Sequence, residues 1–269
     1  MTQTNNPAGR LLNIINAGKR LPGDKQSAEN WAQLLTVPIE DKSLLLRRVG
    51  YVMALPSQIR DQFEELHNLD KKIYLKWLPS VEASFSILNF QMPWKQFIER
   101  FDGSVIYGME ICSDLLSRER PEKVAEEDLL SELKKAVDEL ISKSNSEEIE
   151  TNLRKILYGH LLRIKLAIEE YQIRGVVPLE EEFHAVLGEV VLNPDIYKES
   201  RRSGFGRKFW DAIGKLALVV TVTVGAIQIG HETISLLPSG EDSIDGAFEG
   251  EVIENETPKQ DQDDTTIQV

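Results

Sequence analysis

The sequence predicts an all-α protein: a multi-helix, bundle-like body with a long antiparallel helical hairpin, followed by one apolar helix and a disordered acidic tail. From residue 7 to about residue 200, apolar side chains recur at steps of three and four, which is the helical period. Proline and glycine separate these stretches at short intervals, as helix boundaries require. VTVTV at 220–224 alternates like a strand, but it has no second strand to pair with unless VIYG at 105–108 or another chain supplies one.

The first half of the body is predicted to consist of short helices that depend on one another. Pro7 opens the first helix and the LPGD turn at 21–24 closes it. Pro56 is predicted to lie near the start of a new helix, where its missing amide costs nothing. The helices that follow are predicted over 26–36, 40–54, 57–68, 71–90, 94–101 and 104–118.

Two longer helices, over 122–143 and 147–174, give the clearest structural signal in the body. Their apolar residues repeat at steps of three and four: Leu130, Leu133, Val137 and Leu140 in the first, Leu153, Leu157, His160, Ile164, Ile168 and Tyr171 in the second. The short SNSE connection predicts an antiparallel hairpin whose seams face a core, with a partner-binding groove as the alternative. One more helix opens at Pro178.

The formal charge of -13 is concentrated in the tail. Residues 239–269 contain ten Asp or Glu against one Lys, a net -9, which leaves -4 for residues 1–238. A nearly balanced body without a basic, aromatic stripe argues against nucleic-acid binding. The N-terminus has no secretory pattern and Cys112 is the sole cysteine, so we expect the body to stay in a reducing compartment without an intramolecular disulfide.

No motif in the sequence indicates catalysis, a cofactor or a small-molecule substrate. Glu181 and His184 have the Glu-x-x-His spacing of di-iron bundles, but the chain has no second such pair on its long helices, so a solvated first helical turn is the simpler interpretation. His160 lies on an apolar seam and Cys112 lies on a predicted helix, and both are expected to be core residues.

The chain is predicted to divide into five segments. Residues 1–6 are predicted to be a disordered N-terminus and 7–200 the helical body, and RRSGFGRK at 201–208 is predicted to be a basic linker. The apolar segment at 209–238 is predicted to span a membrane once, with the body in the cytoplasm, and 239–269 to be a disordered acidic tail. The opposing consideration is length, since the uncharged residues 216–230 make a helix of only about 22 Å against a hydrocarbon core of about 30 Å.

Five residues are the candidates for anchoring and helix packing in that segment. Trp210 lies where an interfacial aromatic would lie, and Lys215 belongs to the group of cations that precedes the segment. Ala217, Thr221 and Gly225 recur every four residues, a small-residue stripe that lets helices approach closely in lipid. The alternatives are a buried core element over 214–237 of a cytoplasmic protein and a self-associating β segment.

The layout predicts a non-enzymatic function. The first hypothesis is a membrane-anchored helical module that binds a protein partner or itself, such as an adaptor or a membrane-acting effector of a bacterial defence or toxin-like system, the last by analogy of layout. The second is a soluble helical interaction protein with 214–237 in its core. The third is an enzyme with a site near Glu181 and His184.

Overall fold

The computed structural model describes residues 5–143 and 150–221, and the regular structure of these residues is helical apart from an isolated β-bridge between Gln26 and Pro93. This confirms the all-α prediction. In chain order the helices are α1 (Pro7–Gly18), α2 (Ser27–Leu34), α3 (Lys42–Glu64), α4 (Lys71–Tyr74), α5 (Leu78–Ser86), α6 (Trp94–Ile98), α7 (Gly103–Glu119), α8 (Glu127–Lys143), α9 (Thr151–Glu169), α10 (Tyr171–Arg174), α11 (Val177–Leu192), α12 (Pro194–Ser200) and α13 (Gly204–Thr221). The described part belongs to one compact unit.

The first seven helices surround a core centred on α1. Asn6 caps α1 by accepting a hydrogen bond from the Gly9 amide at 2.9 Å, and Pro7 occupies the first turn. The helix then packs against α2, α3, α7 and α10. Next to it lies an aromatic cluster in which the Trp31 and Trp94 rings meet edge to face at 5.3 Å, and the Trp94 indole donates to the Gly18 carbonyl oxygen at 2.8 Å.

Helix α3 is longer than the sequence predicts. The expected break at Pro56 does not occur, and one helix runs from Lys42 to Glu64. Proline removes one amide hydrogen bond from the helix interior. The buried side chains of Leu55, Pro56 and Ile59 hold this part of α3 against the core, and this packing offsets the loss.

Four later helices, α8, α9, α11 and α13, build a second apolar region. The hairpin helices α8 and α9 pack together, and Lys165 of α9 pairs with Asp138 of α8 at 2.7 Å. Helix α11 packs against α9 and α13, and α13 packs against α8. The shared interior contains Leu133, Val137, Leu140, Leu157, Ile164, Leu179, Phe183, Val186, Phe209, Ile213 and Leu216.

Two ion pairs with buried arginine side chains connect the first apolar region to the part of the chain that follows α7. Arg48 of α3 contacts Glu169 of α9 at 2.5 Å, and Arg10 of α1 contacts Glu122 at 2.5 Å. Both arginine side chains are almost fully buried. Removing one partner of such a pair would leave an uncompensated buried charge, so these contacts fix how the two regions fit together.

Candidate functional site

Helix α13, where the sequence analysis placed its candidate residues, buries one face inside the body. Phe209, Ile213, Leu216 and Val220 are spaced by four, three and four residues and lie on that face. They pack against α8 and α11, while Arg207, Lys208 and Asp211 lie exposed on the opposite side. Up to Thr221 the segment is therefore an amphipathic helix that completes the second apolar region.

The residues predicted to form a basic linker make a tight turn. Helix α12 ends at Ser200 and α13 already begins at Gly204. A Cβ atom on Gly206 would overlap the carbonyl oxygen of Ser200, so this glycine lets the two backbones touch. The Ser203 hydroxyl also accepts a hydrogen bond from the Gly206 amide at 2.9 Å. Gly206 therefore serves close packing between α12 and α13.

Four of the five predicted site residues make contacts within the chain. The Trp210 indole donates to the Ser200 hydroxyl at 2.7 Å, and its ring meets that of Tyr197 at 4.8 Å. Lys215 pairs with Glu132 of α8 at 2.7 Å. Ala217 is buried and its carbonyl accepts the Thr221 hydroxyl at 2.6 Å. Gly225 lies outside the described residues.

The last described turn of α13 is held by a side chain from another part of the chain. Lys123 donates to the Val220 carbonyl at 3.3 Å and pairs with Glu180 of α11 at 2.7 Å. Val220 of α13 therefore lies beside the first turn of α11.

The membrane prediction falls largely on residues that the structure does not describe. Within 5–143 and 150–221, no helix has both the length and the apolar content that crossing a membrane demands. The predicted span at 209–238 overlaps α13 only to Thr221, and both the rest of it and the acidic tail at 239–269 lie outside the described residues. Residues 105–108, the strand partner considered for VTVTV, belong to α7.

A buried polar network joins α9 to α11 behind the α13 seam. Glu182 lies 2.5 Å from Nδ1 of His160 and accepts a hydrogen bond from Nε of Arg163 at 2.8 Å. We assign the proton to Nδ1 as the donor to the ionised Glu182 carboxylate, so Nη2 of Arg163, 2.9 Å from the same nitrogen, makes no hydrogen bond to it. The carboxylate of Glu182 is then satisfied on both oxygens, and the His160 ring lies near that of Phe209, with centroids 6.4 Å apart.

The surroundings of His160 are too confined for a metabolite. A shallow pocket beside His160 has room for about 10 Å³, roughly one water molecule, and is lined mainly by apolar residues of α9, α11, α12 and α13 together with His160 and Glu189. Ligand pockets usually enclose about 300 Å³ or more. The network is therefore best understood as the polar contact that fixes α9 and α11 in register.

His160 lies in the core as predicted, but its partner Glu182 was not among the predicted site residues. Glu182 shares one face of α11 with the buried Leu179, Phe183 and Val186, and that spacing is the signal that an acidic side chain points inward. Glu181, which the sequence analysis considered instead, is exposed and lies 3.6 Å from Arg174. His184 is exposed next to Phe183.

Cys112 is buried, and its environment makes it unreactive. The Trp77 indole donates to Sγ of Cys112 at 3.4 Å, and burial raises the pKa of the thiol to about 11. Such a thiol is a poor nucleophile at neutral pH. In the described residues, no cluster of three or more His, Cys, Asp or Glu side chains is arranged to hold a metal ion.

Two helix faces expose apolar side chains to solvent. At the end of α11, Val191 and Leu192 are 69% and 80% exposed. On α3, Leu46 and Met53 are 58% and 41% exposed. Val191 and Leu192 are adjacent in the chain, and contiguous exposed apolar residues are a feature of protein contact surfaces.

Comparison with protein-family models, with curated proteins and with solved structures finds no match for this chain.

Proposed function

We propose that the chain is a helical protein-interaction module whose body includes α13. The observation that carries this proposal is the burial of Phe209, Ile213 and Leu216 between α13 and its neighbours α8 and α11. These apolar side chains cannot contact lipid while they fill the interior of the body. Between the interaction hypotheses, the geometry supports the second, in which this segment is a core element.

The end of α11 is the surface that we assign to a partner protein. Val191 and Leu192 end α11 immediately before α12, and both are exposed. An apolar group of this kind at a helix end can insert into a hydrophobic groove, where a few anchor side chains supply most of the binding energy. The partner surface is therefore expected to be apolar.

A membrane-anchored adaptor or effector is the second candidate. It is supported by the cations that precede residue 216 and by the near absence of cations after it. In this version the anchor consists of residues after Thr221, and α13 links it rigidly to the body. The first candidate predicts that the full chain is not anchored in a membrane, and the second predicts that residues after Thr221 anchor it there.

Fractionation and crosslinking in cells test the proposal. If it is correct, the full chain leaves the membrane pellet after an alkaline wash, and retention in the pellet would favour the anchored version. A photoreactive side chain in place of Leu192 should crosslink to a protein, whereas the same group in place of the exposed Glu199 should not. Equal crosslinking at both positions, or none at position 192, would contradict the proposed surface.

A further inference from the structure

We draw no further inference here: the strongest candidate, the buried His160–Glu182 pair between α9 and α11, belongs to the polar network already described, and the space beside it has room for roughly one water molecule.

Discussion

Replacing Leu216 by alanine gives the most informative single perturbation of α13. The Leu216 side chain is 0% exposed and lies in the seam between α13 and its neighbours. Deleting a fully buried leucine side chain removes its burial energy and leaves a cavity, which together cost about 2–5 kcal/mol. For a chain of this size that corresponds to a fall in the melting temperature of roughly 4–20 °C. Urea unfolding of the full chain in water, followed by circular dichroism, measures it.

Leu218→Ala is the matched control, because Leu218 lies on the same helix and is only half-buried. We expect it to lower the free energy of unfolding by less than about 1 kcal/mol. If Leu216→Ala and Leu218→Ala had the same small effect, the buried face of α13 would not be part of the body. Alanine has a higher helix propensity than leucine, and this offsets part of the small loss of burial at the half-buried Leu218.

Three further predictions concern the interior. Gly108→Ala should destabilise the protein by about 1–3 kcal/mol, because its new methyl group would overlap the Trp77 ring. Glu182→Ala should cost about 1–3 kcal/mol by leaving the buried His160 ring nitrogen without its partner, whereas the exposed Glu181→Ala should stay within about 0.5 kcal/mol. Cys112 should resist alkylation at pH 8 until the chain is unfolded. Since its pKa of about 11 in the folded protein exceeds the ordinary value of 9.0, the stability it contributes should fall as the pH rises from about 9 to 11.

Each of these predictions has a result that contradicts it. A melting temperature of Gly108→Ala at or above that of the unmodified protein would mean that the Trp77 ring can move aside freely. Equal losses in the free energy of unfolding from Glu182→Ala and Glu181→Ala would show that the buried network stabilises the fold no more than an exposed ion pair does. Alkylation of the native protein as fast as that of the unfolded protein would show that Cys112 is accessible. For the pH dependence, Cys112→Ala is the reference, and it should lack this part of the decline.

The all-α class could be predicted because the helical spacing of apolar residues can be read directly from the sequence. Steps of three and four in 130–140 and 153–168 mark the buried faces of α8 and α9, and Pro7 marks the start of α1. The run through Pro56 was missed because a proline signals a boundary locally, while the burial of Leu55 and Ile59 against distant helices decides the outcome.

The site was harder to predict because its contacts join residues far apart in sequence. The pairing of His160 with Glu182 depends on how α9 and α11 pack, which no local pattern records. The small-residue stripe of Ala217 and Thr221 suggested packing in lipid, but the four-three-four spacing of the apolar seam on α13 is the better predictor of its buried face. The cations of α13 were interpreted as the flank of a membrane span, but a solvent-exposed helix face accounts for them equally well.

Amide hydrogen exchange of the full chain in water, without lipid or detergent, tests the central claim most directly. Residues 212–220 lie on α13 and include its buried side chains from Ala212 to Val220. The account predicts that their amides exchange as slowly as those of α8 and α9, because all three helices share one interior. Exchange of residues 212–220 at the rate of an unfolded peptide, with α8 and α9 still protected, would contradict the placement of α13 in the body.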